Sequence, residues 1–331
     1  FLPRTFPDGT RHNWRWRVKI DVHSHFYTRE YVETIRKFDP NKGSKITGIN
    51  FALWISAEER IEHMDKNRID VEILSLSAPN VYFADRSLSL DLAQMTNDFV
   101  AGLSRKYPDR FVGVASLPML HMEEALNELH RAIEHLGLRG IVLGSNINGK
   151  RPDAQEFDPL FSEIERMRQP ILIHPMPQAG EPSLAEYKLA AILSLPFETT
   201  VCVTRMIYAG VFDRHPGLRL LLPHLGGALP FLSTRIDLGF KSYRECRENV
   251  SKPPSNYLRE FYYDTAVSFG KPSLLCASEL IGMEHILFGT DYPFQRDATD
   301  SVTALESFCA DPQVQRKIFS ENAKTLFGLE D

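Results

Sequence analysis

The chain has 331 residues, 43% of them hydrophobic and 24% charged, which suffices for one large α/β domain or for two smaller ones. The net charge of −5, without any long run of lysine and arginine, argues against nucleic acid as a partner. The four cysteines are far apart and form no CxxC pair, so we predict neither a disulfide framework nor a zinc knuckle.

The beginning of the sequence and its apolar stretches bear on location. The first residues, FLPRTFPDGTRHNWRWRVK, are polar and basic and lack the long apolar core of a signal peptide. Apolar stretches such as GLRLLLPHLGGALPFL contain Pro, His or Gly well before the roughly 18 residues that a membrane span requires. We therefore expect a cytoplasmic protein without a membrane partner. Residues 1–331 are expected to form one domain, with residues 1–17 as an N-terminal extension.

Short apolar runs typical of β-strands recur along the chain, and segments with helical spacing lie between most of them. The eight predicted strands are residues 18–23, 71–77, 111–117, 139–144, 170–174, 218–224, 261–266 and 285–291. The intervening helices are predicted at residues 56–67, 89–107, 121–137, 157–168 and 196–216. Eight strands in alternation with helices favour a closed (β/α)₈ TIM barrel.

An open, doubly wound sheet is the alternative fold, but no GxGxxG motif follows the first strand. Three loops are longer than a bare barrel needs, at residues 26–60, 175–195 and 236–258. We expect these long βα loops to cover the C-terminal mouth of the barrel or to form a subunit contact.

The chemistry of a barrel of this kind lies at the C-terminal ends of its strands, where the βα loops converge. Histidines and aspartates occupy several of these ends: His23 and His25 on the first strand, His174 on the fifth, His224 on the sixth, Asp264 on the seventh and Asp291 on the eighth. Because side chains two apart on a strand share a face, His23 and His25 can reach one ion together. A nitrogen-rich set of His23, His25, His174 and Asp291 predicts a Zn²⁺ site with one position open.

Three further residues have more than one interpretation. His224, followed by two glycines, is a candidate ligand, but we prefer to assign it as the general acid or base beside the metal. Asp264 is equally well explained as a functional group or as a buried carboxylate that orients a neighbouring histidine. Trp54, in the long first loop, is a candidate wall of a substrate pocket, although tryptophan is more often a packing residue.

Five motifs together resemble the amidohydrolase superfamily, in particular the branch typified by aminocarboxymuconate semialdehyde decarboxylase. They are IDVHSH, ILIHP, PFETT, AGVFDRHPGLRLLLPHLGGALPF and ILFGTDYPF, and the resemblance runs from about residue 18 to residue 328. The family fold is a (β/α)₈ barrel, in agreement with the strand count.

The resemblance implies roles for individual residues. His23, His25, His174 and Asp291 match the ligands of one divalent metal, usually zinc, and His224 matches the catalytic histidine. Arg235 matches an arginine that helps to bind a substrate carboxylate in the family's dimers, in some cases from the neighbouring subunit, and Phe294 matches a pocket wall. The fourth strand ends in GIVLGSN, without the bridging lysine of two-metal members, so a single metal is expected.

One departure concerns the substrate. The semialdehyde decarboxylase has an arginine in the loop before the tryptophan-containing segment, whereas no arginine lies between Lys37 and Trp54 here. Relatives in this branch decarboxylate other aromatic or heterocyclic acids, and one hydrates an unsaturated acid. The lead hypothesis is therefore non-oxidative decarboxylation of a small aromatic, heterocyclic or enoic carboxylic acid, with no organic cofactor.

Two alternatives remain open from the sequence. One is metal-dependent hydrolysis or hydration, in which His224 or Asp291 moves the proton. The other is a non-catalytic barrel in which the cluster is a structural metal site. Zn²⁺ is the first candidate ion and Mn²⁺ the second, and a homodimer or higher homo-oligomer is expected by resemblance.

Overall fold

The computed structural model describes residues 18–38, 56–176, 184 and 186–329. Eight parallel strands run through these ranges, each at a predicted position. They are β1 (Ile20–Phe26), β2 (Val71–Leu76), β3 (Phe111–Gly113), β4 (Ile141–Gly144), β5 (Pro170–His174), β6 (Arg219–Leu222), β7 (Tyr262–Asp264) and β8 (Ile286–Leu287). Trp54, the extension 1–17 and parts of the first two long loops, residues 39–55, 177–183 and 185, lie outside the described residues.

Helices surround these strands. They are α1 (Arg29–Phe38), α2 (Ala57–Asn67), α3 (Arg86–Lys106), α4 (Met122–His130), α5 (Asp158–Arg166), α6 (Leu195–Tyr208), α7 (Val211–Arg214), α8 (Leu229–Ser242), α9 (Pro254–Leu258), α10 (Lys271–Ile281), α11 (Thr299–Phe308), α12 (Pro312–Arg316) and α13 (Asn322–Phe327). The predicted helices are all found. The stretch 236–258, expected to be a loop, is partly helical because α8 continues to Ser242 and α9 follows it.

Local sequence signals set several helix ends. Ser56 and Glu59 form a reciprocal capping box at the start of α2, which satisfies two of the free N–H groups there. A π-helical turn, Arg131–His135, extends α4 to Gly137, whose φ of 74° is the left-handed conformation that glycine adopts without strain.

Hydrogen bonds at two seams close the strands into a barrel. Strands β1 to β3 form one ladder and β4 to β8 another. Ala115, just after β3, exchanges backbone hydrogen bonds with the β4 region, donating to Gly140 and accepting from Val142. At the other seam, Val22 of β1 donates to the Phe288 carbonyl, and Asp291 donates to the His23 carbonyl. The predicted TIM barrel is therefore confirmed.

An apolar layer lies inside the barrel, beneath its mouth. Its members come from β1, β2, β5, β6 and β8 and from the residue after β3; they are Ile20, Val22, Ile73, Val114, Leu172, Leu221 and Leu287. Ala323, Leu326 and Phe327 of α13 pack against this layer. A second, larger core lies between strands and helices. Because this layer is apolar, polar side chains gather at the strand ends above it.

A bulge in β1 gives this strand its two inward histidines. Ile20 and Val22 belong to the apolar layer, so strict alternation would turn His23 away from the barrel interior. The pairing of β1 with β2 shifts register between Asp21 and Ser24, which places one extra residue in β1. The shift changes the parity of the strand, and both His23 and His25 then face the barrel mouth.

Candidate active site

Four side chains converge at the mouth of the barrel, from β1, β5 and the turn after β8. His23 Nε2 and His25 Nε2 are 3.0 Å apart, and Asp291 Oδ1 lies 3.4 Å from the first and 3.3 Å from the second. The ring of His174 lies 4.9 Å from that of His25, and ligand atoms of the three histidines fall within 4.8 Å of one another. The structure thus brings together the predicted ligand set.

Each imidazole of this set is oriented by its Nδ1 atom. His23 Nδ1 lies 2.8 Å from Asp264 Oδ2, and His174 Nδ1 lies 2.9 Å from the Pro175 carbonyl oxygen. His25 Nδ1 lies 2.9 Å from Ser75 Oγ and 3.3 Å from the Ser75 carbonyl oxygen. Because carboxylates and carbonyls only accept, Nδ1 carries the hydrogen and the three Nε2 atoms turn their lone pairs to a common centre.

The acidic and basic groups of this site shift one another's pKa. Burial alone would raise the pKa of Asp291, but hydrogen bonds and charge from His23 and His25 outweigh burial and hold that pKa well below its ordinary value. Burial lowers the pKa of His25, and it lowers that of His174 further together with charge from the neighbouring histidines. The pKa of His23 is raised despite burial because Asp264 and Asp291 face it.

This arrangement fits a divalent metal ion. Donor atoms that bind one ion at about 2.1 Å lie roughly 3.0 to 3.4 Å apart for angles between 90° and 109°. The separations among His23 Nε2, His25 Nε2 and Asp291 Oδ1 fall in that range. Two imidazole lone pairs and a carboxylate oxygen held this close repel one another unless a proton or a metal ion lies between them. Three nitrogen donors and one oxygen donor suit Zn²⁺ and other first-row divalent ions.

His224 stands beside this cluster, on a turn of unusual conformation. Its ring centroid is 5.0 Å from that of His23, and its Nδ1 donates to the Ala266 carbonyl at 2.9 Å. Nε2 is therefore the nitrogen left to hold or release a proton toward the site. The residue has a φ of 55°, a left-handed conformation that is rare outside glycine and recurs at functional sites.

Asp264 connects the acid–base candidate to the ligand cluster. Its Oδ2 accepts from His23, while its Oδ1 accepts from the backbone N–H of His224 at 3.0 Å and from that of Ala266 at 3.0 Å. Burial opposes ionisation of this carboxyl, but the histidine charges, His23 first, lower its pKa below the ordinary value. Asp264 can therefore fix the imidazole of His23 and the backbone of His224 at once.

Two of the residues expected to bind substrate are described. Phe294 lies at the site, with its ring centroid 5.7 Å from that of His25 and 6.5 Å from that of Tyr27, and its side chain is exposed. Arg235 is exposed on α8, and no contact of its side chain with the cluster is seen among the described residues.

Three polar residues next to the cluster were not predicted as site residues from the sequence. Ser75 orients His25, Ser77 Oγ lies 3.0 Å from His174 Nε2, and the buried Arg60 donates to the His25 carbonyl. The serines had a detectable signal. They follow Ile73 at spacings of two at the C-terminal end of β2, so the alternation that selected the histidines would have selected them as well.

A family model described as "Amidohydrolase" matches residues 20–329. The 2-amino-3-carboxymuconate-6-semialdehyde decarboxylase of Dictyostelium discoideum is 32% identical over 334 residues, which cover 95% of this chain and 92% of that protein. The gamma-resorcylate decarboxylase of Rhizobium sp. strain MTP-10005 is 31% identical, over 94% of this chain and 98% of that protein.

A solved structure has the same fold and an occupied site. It is the dihydroxybenzoic acid decarboxylase from Polaromonas sp. JS666, with bound manganese and the inhibitor 2-nitroresorcinol. The alignment has a TM-score of 0.80 at 29% identity and covers 95% of this chain and 97% of that chain.

Proposed function

Because the chain belongs to the amidohydrolase family, we propose that it is a metal-dependent, non-oxidative decarboxylase of a small aromatic or enoic carboxylic acid. The family and the carboxy-lyase class predicted from the motifs are confirmed, because the chain aligns with decarboxylases over nearly their whole length. The observation that carries the proposal is the convergence of three Nε2 lone pairs and the Asp291 carboxylate at the barrel mouth, with His224 beside them.

His23, His25 and His174 through Nε2, and Asp291 through Oδ1, are the residues that would hold one divalent ion. Such an ion, when bound, supplies a positive centre for an anionic oxygen of the acid and stabilises the negative charge that develops. We propose Zn²⁺ first, because nitrogen donors dominate, and Mn²⁺ second, because manganese is bound in the Polaromonas relative. No organic cofactor is part of the proposal.

Elemental analysis tests the ligand assignment. We expect about one divalent ion per chain and a strong loss of it in His23→Ala and Asp291→Asn, because each substitution removes a donor. The half-exposed His130, which pairs with Glu134 and Glu163 on the outer surface, supplies the control variant His130→Asn, which should keep the ion. Wild-type protein that binds no ion contradicts the assignment.

His224 is the proposed acid and base. When the bond to the carboxyl carbon breaks, its electron pair stays on the substrate carbon, and that carbon takes a proton from His224 Nε2. The net change is loss of CO₂ and gain of one proton at the same carbon. The hydrogen bond from Nδ1 to Ala266 keeps Nε2 directed toward the site, and Asp264 holds the backbone of His224 in place.

The proposed substrate site lies between the ligand cluster and Phe294. An exposed phenyl ring edge-on to His25 offers a flat apolar surface to an aromatic acid. Trp54 remains a proposed second wall, and Arg235 a proposed partner of the substrate carboxylate through a charge-assisted hydrogen bond.

An assay of CO₂ release tests the function. Metal-loaded protein is incubated with 2,6-dihydroxybenzoate, 2-amino-3-carboxymuconate semialdehyde and an aromatic lactone. We expect CO₂ from at least one acid and a fall in kcat of roughly a hundredfold or more in His224→Asn, with its metal content unchanged. His130→Asn should match wild type. Turnover of the lactone without CO₂ from any acid would reverse the assignment in favour of a metal-dependent hydrolase.

We also propose that the chain forms homodimers through two neighbouring helices, α6 and α8. Ala190–Tyr208, a π-helical turn followed by α6, has 19 residues and is long and apolar enough to cross a membrane by those criteria alone. One of its faces is buried in the barrel's outer core, through residues such as Val203 and Met206. The rest of the chain therefore covers the apolar side chains on that face, as it does for a core helix.

The opposite faces of these helices are apolar and exposed. Ile192, Phe197 and Val201 come from the first segment, and Phe231 and Leu238 from α8; together they are called the α6–α8 patch. Phe231 is 80% exposed, which is unfavourable for a large apolar side chain unless a partner covers it. A second copy of the chain is the proposed partner.

The cytoplasmic location expected from the sequence stays a prediction.

A further inference from the structure

The hydroxyl of Ser77, directly after β2, lies at the edge of the ligand cluster. Its Oγ is 3.0 Å from His174 Nε2, and the residue is only 3% exposed. No role in the proposed mechanism has yet been given to this group. Its position on the same strand face as Ile73 and Ser75 directs it to the barrel mouth.

The tautomer of His174 determines which atom donates. The Pro175 carbonyl can only accept, so Nδ1 of His174 carries the ring hydrogen and Nε2 has a lone pair. The Ser77 hydroxyl therefore donates to Nε2. That same lone pair is the one assigned to the divalent ion, and one lone pair cannot serve both.

A bound ion would take the His174 lone pair away from the Ser77 hydroxyl, which lies in a buried setting. A buried hydroxyl without a partner is costly, so the group must turn to another oxygen nearby. The hydroxyl of Tyr27 is one such oxygen, since it donates to the Ala78 carbonyl at 3.1 Å and can still accept a hydrogen bond from Ser77. An anionic oxygen of a substrate bound next to His174 is the other, and it is a stronger acceptor than a neutral phenol.

We propose that Ser77 is a substrate-binding residue, whose hydroxyl donates to an anionic oxygen of the acid, a carboxylate or an adjacent phenolate. This inference rests on the proposed function, since it requires an acid bound at the cluster. Ser77 thereby exchanges one acceptor, the His174 lone pair, for another when the site is filled. It would favour acids that carry an oxygen anion at this position over neutral analogues.

Two variants and a matched control test the role. Ser77→Ala removes the hydroxyl and Ser77→Thr keeps it. Ser89→Ala removes an equally buried hydroxyl, which donates to the Val81 carbonyl at the start of α3. Titration calorimetry with Zn²⁺ alone measures ion affinity, and steady-state kinetics with inhibition by 2-nitroresorcinol measures binding of an oxygen anion.

We expect Ser77→Ala to bind Zn²⁺ as tightly as wild type or more tightly, because no hydrogen bond has to be broken at His174. Its KM and its inhibition constant for 2-nitroresorcinol should rise roughly tenfold, as for loss of a hydrogen bond to a charged acceptor. Its kcat should change less than its KM. Ser77→Thr should recover most of the affinity, and Ser89→Ala should match wild type.

Two results would overturn the inference. Weaker Zn²⁺ binding in Ser77→Ala, with unchanged KM and inhibition once the site is loaded, would mean that Ser77 only orients His174. Unchanged ion and inhibitor affinity would mean that the hydroxyl turns to Tyr27. Failure of the proposed function is visible earlier, in wild-type protein that releases no CO₂ and binds no 2-nitroresorcinol, and it removes the inference as well.

Discussion

Arg60 of α2 lies beneath the strand that supplies two of the proposed ligands, and it is 3% exposed. Its Nη1 donates to Ser24 Oγ at 2.8 Å and to Glu72 Oε2 at 2.7 Å, and its Nη2 donates to the His25 carbonyl. The guanidinium also lies 4.8 Å from the ring centroid of Tyr292. One side chain thus ties the bulged end of β1 to β2 and to the turn after β8.

We predict that Arg60→Ala lowers the free energy of unfolding by about 3 to 5 kcal/mol, because Glu72 is then a buried carboxylate without its counter-charge. Arg68→Ala is the control. Arg68 pairs with Glu306 at the surface, and its loss should cost about 1 kcal/mol or less. Urea denaturation of metal-free protein measures both. Equal losses in the two variants would show that the buried pair does not anchor β1.

The proposed ligands and the supporting Asp264 could be selected residue by residue from the sequence, but Arg60 could not. His23, His174 and Asp291 were detectable because a strand end is visible as the last residue of an apolar run. Arg60 was not, since its position on α2 resembles that of any basic residue on a helix surface. Only the packing of α2 against β1 and β2 buries it.

At the scale of elements, the turn after β6 places His224. Residues 224–227 all have positive φ, from 52° to 74°, and two of them are glycines. At Gly227 an added Cβ would overlap the Pro196 carbonyl at the start of α6, and the Ala228 N–H donates to Thr200 Oγ1 at 2.9 Å. The turn is therefore held directly against α6.

We predict that Gly227→Ala lowers the free energy of unfolding by about 2 to 5 kcal/mol, from backbone strain and overlap with Pro196 together. It should also lower kcat, because His224 lies in the same turn. The control is Gly137→Ala, where φ is 74° but no atom lies within 4 Å of the added Cβ, so that only strain of about 1 kcal/mol is expected. Similar losses in both variants would exclude the contact with α6 as the cause.

The strands were predictable as elements, whereas their details were not. All eight apolar runs contain a strand, since a run bounded by polar residues is a local signal. The last prediction, residues 285–291, shortens to Ile286–Leu287 because the chain then turns, with Asp291 at a φ of 69°. The bulge in β1 was also hidden, because register depends on the neighbouring strand.

At the scale of the whole molecule, the site exists because the barrel closes. His23 is on the first strand and Asp291 follows the last, and the hydrogen bond from Asp291 N to the His23 carbonyl is part of the closing seam. His174 comes from the fifth strand, in the other half of the barrel. An ion bound by these residues would link parts of the chain that are far apart in sequence, and it should stabilise the fold accordingly.

The proposed role of Arg235 depends on dimer formation. It lies between Phe231 and Leu238 on the exposed side of α8, within the α6–α8 patch. If a second copy covers this patch, Arg235 of one chain enters the interface and is available to the neighbouring site. Phe231→Asp should therefore convert a dimer to a monomer in analytical ultracentrifugation, and a wild-type chain that sediments as a monomer would contradict the proposed interface.

Mixing two inactive variants tests whether Arg235 acts across that interface. Arg235→Ala lacks the proposed carboxylate partner and His224→Asn lacks the proposed acid, so each homodimer should be nearly inactive. In a mixed dimer, the chain with intact His224 faces a neighbour with intact Arg235, and one of the two sites is complete. Equal mixing with exchange makes half of the dimers mixed, so about one quarter of wild-type activity should return. If Arg235 serves its own chain, both sites of a mixed dimer lack one group and no activity returns. The control is Arg259→Ala, which alters an exposed arginine outside the patch and should retain full activity.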